Sequence, residues 1–471
     1  MARYTPMWVM EAANAAFRRI PREEVRALLA RRHALSLKHG MGMFTERGEP
    51  RVIDVQMRPW VIDTAQRRFF HQACLLLRQA LAQVMPLYLS SDRVRQIVPL
   101  FPKEHDWLME ANLHRVQQPQ TVLDRLDATA TFAVPGWREN FWFLEPNSVG
   151  IGGVHYIPAT VALSGHWILP ALREHLPGPR FVLPDDIRQL LLKMMLRHAR
   201  QIGRRLRRIA LIEDRSATGG TDEFGSLAKY YSRQGLPAVV ADPREIAVRG
   251  DELTAMGKPV DLLYRDSEIE EMLEMVKRGD EQALDGMKEA FVRNQVISSI
   301  AGEFDHKSTW ELFTSPEFSR HFSFRQKKLF RDHVLWTRLI YERETTDPRG
   351  RPIDLVRYAR RHRESLTIKP NRAYGGEGVY FGHELPQAAW ERYLERAVKK
   401  PGTHVVQQQA QVHAELFPAA QKDGSIRLEP YYCVTGFAAT PDGLAVLGRF
   451  SKEAVVNVSR RGGLIAIWRL G

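Results

Sequence analysis

The chain has 471 residues, a formal net charge of +13, 44% hydrophobic residues and 26% charged residues. This length exceeds one ordinary hydrophobic core and predicts two or three domains, while the composition excludes disordered, collagen-like and disulfide-scaffold proteins. The excess of Lys and Arg is spread over short clusters without a nucleic-acid-binding motif. Solvated basic helix faces explain this charge best, a small anionic ligand such as a nucleotide comes next, and nucleic acid comes third.

Cysteine usage and hydrophobic patterning indicate the compartment. Cys74 and Cys433 are the only cysteines and lie far apart, which excludes a disulfide framework and a cysteine zinc site. The N-terminus lacks the apolar core of a secretory signal, and no uninterrupted apolar run is long enough to predict a membrane-spanning helix. We therefore expect a cytoplasmic protein without membrane contact.

Two regions are predicted in the first part of the chain. Apolar residues at helical spacing predict a helical N-terminal region over 1–120. Alternating β-branched and aromatic residues on both sides of Pro135 and Gly136 predict a hairpin within 121–170. The N-terminal region carries no recognisable chemistry, whereas the hairpin carries several polar side chains.

Two further regions complete the chain, and both contain sheets. Over 175–300, an amphipathic helix near 187–195 and short apolar strands with short connections predict a parallel sheet covered by helices. Over 301–471, longer alternating segments predict an α+β region built around an antiparallel sheet. The predicted fold class is thus α/β with α+β.

A glycine-rich segment near residue 370 is the first candidate site. Lys369 ends a predicted strand, and Gly375, Gly376 and Gly378 surround Glu377 directly afterwards. Glycines let backbone N–H groups approach phosphate oxygens, and a lysine supplies the counter-charge. Neither the Walker nor the Rossmann pattern is present. A hairpin turn beside an exposed lysine explains this segment equally well.

The hairpin of 121–170 is the second candidate site. If its strands pair symmetrically about Gly136, Asp127 lies opposite Glu145 and Arg125 lies opposite Asn147. Two facing carboxylates destabilise a sheet unless a cation lies between them, and Mg²⁺ accepts such hard oxygen ligands. A slip of one residue would separate the two carboxylates onto opposite faces. A solvated hairpin ending in a turn is the alternative.

Together the two segments resemble the ATP-grasp superfamily, in the circularly permuted arrangement of eukaryotic glutathione synthetase and bacterial glutathionylspermidine synthetase. In those families an R-x-D strand and an E-x-N strand come first, an α/β domain intervenes, and the nucleotide-binding lysines and glycine-rich loop follow. The order in this chain is the same. The resemblance implies a circularly permuted ATP-grasp fold around an antiparallel sheet, with an inserted α/β parallel-sheet domain and a helical N-terminal region.

The resemblance also implies roles for individual residues. The positions of the magnesium ligands are taken by Asp127, Glu145 and Asn147. The positions expected to act on the transferred phosphoryl group or in catalysis are Arg125, Lys369 and, as a secondary candidate, Arg449. The positions expected to contact ATP are Lys307, Lys369, Gly375, Gly376, Glu377, Gly378, Gln407 and Gln408, although the family often has Gln-Glu at the last two. Asn457 is a further candidate, and ordinary strand residues are the alternative for Arg449 and Asn457.

The implied function is an ATP- and Mg²⁺-dependent carboxylate–amine ligase that forms an amide bond through an acyl phosphate. Its partners would be a small-molecule acid and amine, selected by the loops of the α/β region such as 214–224. Arg215 in that loop is a candidate for binding a substrate carboxylate, or a surface salt bridge. The alternatives are a phosphoryl transferase on the same fold and a non-catalytic basic protein that binds nucleotides or nucleic acid. The sequence does not identify the substrates or the oligomeric state.

Overall fold

A computed structural model gives the fold of the chain, and its N-terminal region combines helices with short strands. The described residues are 4–44, 48–113, 119–129, 132–216, 220–276, 280–373, 375–412, 414–456 and 462–471. The N-terminal helices are α1 (Pro6–Phe17), α2 (Arg22–Lys38), α3 (Thr64–Leu81), α4 (Val84–Ser90), α5 (Asp92–Ile97) and α6 (Pro102–Leu113). The strands are β1 (Gly42–Phe44), β2 (Pro50–Val52), β3 (Asp54–Val55) and β4 (Trp60–Ile62).

These four short strands were not predicted within the mostly helical N-terminal region. β3 and β4 are only two or three residues long, and both pair in parallel with strands at the far end of the chain. Such short strands are stabilised by their partners and not by a local pattern, so a pass along the sequence does not find them. The N-terminal region therefore contributes to the sheets that the C-terminal region builds.

The predicted hairpin and the α/β region follow. The elements that lead into the α/β region are β5 (Arg125–Thr129), β6 (Phe143–Asn147), α7 (Tyr156–Trp167), α8 (Leu169–His175) and β7 (Phe181–Val182). The α/β region has α9 (Ile187–Gln201), β8 (Ile209–Ile212), β9 (Gly220–Thr221), α10 (Glu223–Arg233), β10 (Ala238–Ala241), β11 (Ile246–Arg249), β12 (Glu252–Ala255), β13 (Lys258–Val260), β14 (Leu262–Arg265), α11 (Ile269–Glu274), α12 (Asp285–Val292) and β15 (Val296–Ile297).

The predicted parallel sheet is confirmed. β10, β8, β14 and β15 are neighbours in that order, and every pairing among them is parallel. All four residues of β8 are buried, as expected for a strand covered on both faces by helices. The antiparallel sheet of β11, β12 and β13 was not predicted, because its strands are short and partly exposed.

The C-terminal region contains the strands that form the site. Its helices are α13 (Thr309–Thr314), α14 (Phe324–His333), α15 (Leu355–Arg361) and α16 (Gln387–Lys399). Its strands are β16 (Thr337–Leu339), β17 (Glu344–Thr346), β18 (Pro352–Asp354), β19 (Leu366–Pro370), β20 (Tyr380–Phe381), β21 (His404–Gln408), β22 (Ala414–Ala420), β23 (Ile426–Thr440), β24 (Gly443–Ser451), β25 (Gly463–Ile465) and β26 (Ile467–Leu470).

Two sheets from these strands face the candidate site. The large sheet has the order β3-β25-β24-β23-β5-β6, with β22 also paired to β23, and the small sheet has the order β16-β21-β19-β20. The small sheet is antiparallel throughout, as predicted for this region. The large sheet is antiparallel except where β25 meets β3.

The buried apolar residues form two clusters in the described part of the chain. The larger cluster runs from Val9 to Leu470 and draws on all the predicted regions. The smaller one lies under the small sheet and is centred on Trp336 and Trp390. The region boundaries stay predictions, because the larger core does not divide at them.

One helical stretch, Thr64–Ser90, is long and apolar enough to cross a membrane by length and composition, although the sequence did not predict one. Within it, the buried Phe70 lies 4.8 Å from the ring of Phe437 and 5.0 Å from the ring of Phe141. Arg78 on the same helix forms an ion pair with Asp124 at 2.9 Å. This face of α3 therefore packs on the large sheet inside the protein.

The packing of α3 predicts a large loss of stability for Phe70→Ala. Removing a fully buried aromatic ring should lower the free energy of unfolding by about 3–5 kcal/mol, because the contacts are lost and a cavity remains. Chemical denaturation measures the change. Phe324→Ala is the control, since Phe324 is 79% exposed and its loss should change stability by no more than about 0.5 kcal/mol. Equal effects of the two variants would contradict this packing.

Candidate nucleotide and metal site

The hairpin strands β5 and β6 bring four polar side chains to one face of the large sheet. Asp127 pairs with Glu145 and Arg125 pairs with Asn147, so the register predicted by symmetry about Gly136 is confirmed for these pairs. The register shifts by one residue between Asp127 and Ala128, so the predicted symmetry ends there. Residues two apart on a strand share a face, and all four side chains line one cavity.

The small sheet contributes Lys369 and Gln407 to the same cavity. Lys369 Nζ donates a hydrogen bond to Gln407 Oε1 at 2.8 Å. Gln407 Nε2 donates to the Thr337 Oγ1 at 2.9 Å and to the carbonyl of Leu144 on the large sheet at 3.0 Å. The amide of Gln407 is therefore used to orient Lys369 and to join the two sheets. Its predicted contact with adenine stays a prediction.

Two lysines lie close to Glu145. Lys307 Nζ lies 3.6 Å from Glu145 Oε2 and donates to the Ala373 carbonyl at 2.8 Å. Lys369 is half-buried; desolvation by the surrounding protein lowers its pKa, Lys307 lowers it further and Glu145 opposes the shift. The ammonium groups of both lysines are thus held near a single carboxylate, where a phosphate group would find positive charge.

Asp127 is held between two arginines. Arg125 Nε donates to Asp127 Oδ1 at 3.1 Å, and Arg449 Nη2 donates to Asp127 Oδ2 at 2.6 Å. Burial would raise the pKa of Asp127, but the guanidinium groups of Arg449 and Arg125 together hold it below its ordinary value. Asp127 is therefore an ionised carboxylate, and each of its oxygens accepts one hydrogen bond from an arginine.

The glycine-rich loop lies over the cavity. Gly375, Gly376 and Gly378 have φ angles of +73°, +74° and +64°, a conformation that L side chains rarely adopt. A Cβ atom on Gly376 would lie 2.3 Å from Val455 Cγ1, so only glycine fits at that position. Gly375 and Gly376 line the cavity, whereas Glu377 and Gly378 do not.

The cavity between the two sheets has a volume of about 320 Å³. The predicted residues that line it are Arg125, Asp127, Glu145, Asn147, Lys369, Gly375, Gly376, Gln407, Gln408 and Arg449. Lys307 does not line the cavity but reaches Glu145 from its edge. Asn457 lies outside the described residues. Apolar lining comes from residues such as Leu144, Leu335, Val379 and Phe381, which suits a cleft for a planar ring next to a charged end.

Glu223 is a cavity residue that the sequence did not single out. It begins α10 in the α/β region, and its carboxylate accepts the N–H groups of Gly153 at 2.9 Å and His155 at 2.5 Å. Burial raises the pKa of Glu223. Arg125 donates to the carbonyl of Gly152 at 2.8 Å, so Glu223 fixes the turn on which Arg125 rests. No local motif marks Glu223, because its partners are backbone groups 70 residues away.

Arg372, between Lys369 and the glycines, was also missed. It donates two hydrogen bonds to Glu104 at 2.6 and 2.7 Å and one to Glu268 at 2.6 Å, and it lies 3.7 Å from Glu303. The three carboxylates are close enough to hold a metal ion, but here they surround a guanidinium. Arg372 thus anchors the start of the glycine-rich loop to the N-terminal region and to the α/β region.

Carboxylates also gather at the α/β end of the cavity. Surrounding protein and the neighbouring Glu223, Glu271 and Glu213 raise the pKa of Asp266 to about 7. Burial and two nearby acids raise the pKa of Glu213 to about 7 as well. Arg215 lies in the same loop, but it forms a surface ion pair with Glu245 at 3.0 Å. Residues 217–219 of the predicted selectivity loop lie outside the described residues.

Comparisons with known proteins agree with this geometry at the level of fold. No family model and no curated protein matches the chain. Among solved structures, a glutathione synthetase-like effector from Globodera pallida in its apo form matches with a TM-score of 0.58 at 8% identity, over 99% of this chain and 98% of that one. This chain has a glutathione synthetase-like fold. The resemblance drawn from the sequence is thus confirmed for the fold.

Other solved structures match less of the geometry. A protein named for γ-glutamylcysteine synthetase from Methylobacillus flagellatus has a TM-score of 0.39 at 10% identity, covering 84% of this chain and 88% of that one. A RimK-domain ATP-grasp protein from Sphaerobacter thermophilus has a TM-score of 0.26 at 16% identity, over 54% of this chain and 91% of that one. The circularly permuted order stays a prediction.

The donor set of this chain fits a magnesium ion. Asn147 Nδ2 donates to the carbonyl of Arg125 at 3.1 Å, which turns the amide oxygen away from that contact. Glu145 and Asn147 thus offer two oxygen ligands on one strand, and Mg²⁺ bound with phosphates commonly needs only one or two carboxylates beside water. Each oxygen of Asp127 accepts one hydrogen bond from a guanidinium group, which leaves a lone pair on each oxygen, so its role as a third ligand stays a prediction.

Arg372→Met should destabilise the fold strongly near pH 8. Removing the guanidinium leaves Glu104 and Glu268 buried without their cation, which costs about 3–5 kcal/mol of unfolding free energy, whereas Glu303 keeps its ion pair with Arg265. The cost should shrink near pH 5, because burial raises the pKa of Glu104 to about 7 and the group is then protonated. Urea denaturation at both pH values measures it. Arg22→Met removes the partner of Asp423 in a pair whose side chains are 64% and 56% exposed, and it should cost at most about 1 kcal/mol.

Asp266→Asn should raise the free energy of unfolding relative to wild type, and this gain should be larger at pH 8 than at pH 5. The unfolded chain releases this proton near pH 3.8, whereas the folded chain retains it up to about pH 7, so the free energy of unfolding falls as the pH rises between these two values and levels off above them. Asparagine removes the charge and with it that loss. Thermal unfolding at pH 5 and pH 8 gives the comparison, with Asp92→Asn at an 87% exposed site as control. A pH-independent difference from wild type would argue against the raised pKa.

Proposed function

We propose that this protein is an ATP- and Mg²⁺-dependent ligase that joins a small-molecule carboxylate to an amine. One observation carries the proposal: two antiparallel sheets bring Glu145, Asn147 and Lys369 to a single cavity that a glycine-rich loop covers. A metal–nucleotide complex is bound by oxygen ligands, a lysine and a glycine-rich backbone segment, and this cavity contains all three. The glutathione synthetase-like fold supports this assignment.

In the proposed reaction, a carboxylate oxygen attacks the γ-phosphorus of ATP, and ADP leaves. The amine nitrogen then attacks the acyl carbon, phosphate leaves, and the nitrogen loses a proton to give the amide. Mg²⁺, when bound, supplies charge neutralisation and orientation for the phosphate oxygens. Glu145 and Asn147 would hold that ion. Lys369 and Lys307 would bind phosphate oxygens from the small-sheet side, where both ammonium groups already lie near Glu145.

The glycine-rich loop has the task of excluding water. Water that reached an acyl phosphate would hydrolyse it and waste ATP, so the cavity must be closed during the reaction. Gly375 and Gly376 line the cavity directly, and their positive φ angles let the backbone turn towards a ligand. Lys307 donates a hydrogen bond to the carbonyl of Ala373 at the start of this loop, so the ammonium group of Lys307 lies next to the loop.

A nucleotide-binding protein without ligase activity is the second candidate. Among the described residues that line the cavity, Glu145 is the one carboxylate held neither by an arginine nor by backbone N–H groups. One such carboxylate is enough to hold Mg²⁺ together with nucleotide phosphates, so the site supports nucleotide binding whether or not an amide is formed. Phosphoryl transfer to another acceptor on the same fold would be recognised by a phosphorylated product in place of an amide.

We also propose that the protein is located in the cytoplasm.

Thermal unfolding with Mg²⁺ alone, ATP alone and both together tests the proposed site. At 100 times its dissociation constant, Mg·ATP should add about 2.7 kcal/mol of stability, and the gain should require both components. Glu145→Gln and Lys369→Ala should each remove most of it, whereas Lys422→Ala in an exposed turn should not. ADP release with mixtures of acids and amines then separates a ligase from a binding protein. A folded wild type that gains nothing from Mg·ATP would refute the nucleotide site.

A further inference from the structure

A second cavity lies back to back with the nucleotide and metal site. Its volume is about 420 Å³, and among the described residues only Gln408 lines both cavities. The extended segment that leads into β16 separates them, because Leu335 lines the candidate site whereas its neighbours Val334 and Trp336 line the second cavity. Successive residues of an extended segment point to opposite faces. Small-molecule sites typically have volumes of about 300–1,000 Å³, so the second cavity is large enough to hold a ligand.

The inner wall of the second cavity is aromatic. Phe313 and Phe330 stack with their ring centroids 4.7 Å apart, and Phe322 meets these rings edge-on at 5.3 and 5.1 Å. These three residues belong to the larger apolar cluster, whereas Trp336 belongs to the smaller one. The second cavity therefore lies where the two buried clusters meet. A planar apolar ligand would contact rings from both, and ring–ring contacts add to the gain from burying apolar surface.

The surrounding structure holds these rings in place. Trp336 Nε1 donates a hydrogen bond to the carbonyl of Thr346 at 2.8 Å. Phe322 and Phe330 are 5% and 2% exposed, so their rings are fixed by packing on both sides. Little side-chain ordering is then needed when a ligand enters, and a preorganised site loses less affinity to that cost.

The mouth of the second cavity is basic. Lys327 and Arg331 lie one turn apart on α14, both line the cavity, and both are exposed. Arg331 Nε donates to Asp332 Oδ1 at 2.9 Å, whereas Lys327 forms no ion pair with any residue that the structure describes. The cavity thus has cations on its solvent side and aromatic rings inside.

The acidic group of the second cavity is already compensated. Of the described residues that line it, Asp347 is the only one with a carboxylate. The side chain of Asp347 is 2% exposed, accepts the N–H groups of Arg349 at 2.8 Å and Arg351 at 2.9 Å, and pairs with the guanidinium of Arg351. An entering ligand therefore meets the positive charge of Lys327 and Arg331. This charge favours an anion over a cation.

We propose that the second cavity is a small-molecule site for a ligand with a planar aromatic ring and one anionic group. The ring lies against Phe330 and Trp336, and the anionic group lies near Lys327 at the mouth. The proposal does not depend on ligase activity, because none of these three residues lines the nucleotide and metal site.

Calorimetric titration of the full-length protein with 2-naphthoate tests this proposal. The probe has one planar ring system and one carboxylate, and a ligand of its size should bind with a Kd below about 1 mM. The uncharged 2-naphthamide has nearly the same shape and should bind about threefold more weakly, since it lacks the attraction to exposed cations. Inorganic phosphate, an anion without a ring, should not compete. Absence of 2-naphthoate binding, or equal affinity for the two naphthalene probes, would overturn the proposal.

Substitutions on α14 locate the anionic end of the probe. Lys327→Gln should weaken 2-naphthoate binding about threefold, because it removes one exposed charge at the mouth. Lys328→Gln is the matched control, since Lys328 is 59% exposed on the same helix but pairs with Asp332 and does not line the cavity. It should leave the affinity unchanged. Equal effects of the two variants would count against the predicted position of the anionic group.

A filled cavity gives the second arm of the test. Ser319 is exposed and lines the second cavity, so Ser319→Trp should place an indole in the space and abolish measurable 2-naphthoate binding. Unchanged affinity in a folded Ser319→Trp variant would overturn the site. If this variant does not fold, the comparison of Lys327→Gln with Lys328→Gln decides, because both change exposed side chains.

The nucleotide cavity is the other place where an aromatic anion would bind. Saturating Mg·ATP and Lys369→Ala should each leave the 2-naphthoate affinity within about twofold of its starting value if the probe occupies the second cavity. A large loss in both experiments would place the probe in the nucleotide cavity and overturn the inference. Failure of Mg·ATP to bind would refute the proposed function and leave the second site standing, since the 2-naphthoate titration contains no nucleotide.

Discussion

The cavity depends on one buried amide, because Gln407 joins the two sheets where they meet. Its Oε1 accepts from Lys369, and its Nε2 donates to Thr337 on the small sheet and to the carbonyl of Leu144 on the large sheet. A buried amide with these partners has one favourable orientation, since flipping it would set the NH₂ group against the ammonium of Lys369. The orientation leaves the lysine bound to a neutral acceptor, so this hydrogen bond does not neutralise the positive charge of Lys369.

The arginines of the site differ in how many carboxylates they contact. Arg372 is surrounded by carboxylates and holds the loop, whereas Arg125 and Arg449 share a single carboxylate and keep net positive charge towards the cavity. The difference separates cations that support the structure from cations that can receive a ligand. The net charge of +13 does not make this distinction, because it counts every basic residue alike. Only the partners of each cation show which ones remain to bind an anion.

The sequence predicted those features of the fold that depend on residues close together in the chain. The symmetry about Gly136 predicted the pairing of Asp127 with Glu145, because a hairpin transmits register from its turn along both strands. The parallel strands of the α/β region followed from continuous apolar runs. By contrast, the pairing of β3 with β25 joins the two ends of the chain, and neither strand has a pattern of its own. Glu223 and Arg372 were missed for the same reason, since their partners are distant in sequence. The contact of Asp127 with Arg449 could not be inferred from an R-x-D motif, because the two residues are 322 positions apart.

The two buried apolar clusters lie on either side of the cavity. The small sheet packs on its own core around Trp336 and Trp390, and the large sheet packs on the main core. Gln407 links Lys369 on the small sheet to the carbonyl of Leu144 on the large sheet. The small sheet also contacts α13 of the main body, where Arg338 on β16 donates to the Thr314 hydroxyl at 2.9 Å. Arg372 adds a further connection, because it fixes the base of the glycine-rich loop to the main body through Glu104 and Glu268. These contacts are directional, so together they fix the position of Lys369 on the small sheet relative to Glu145 on the large sheet.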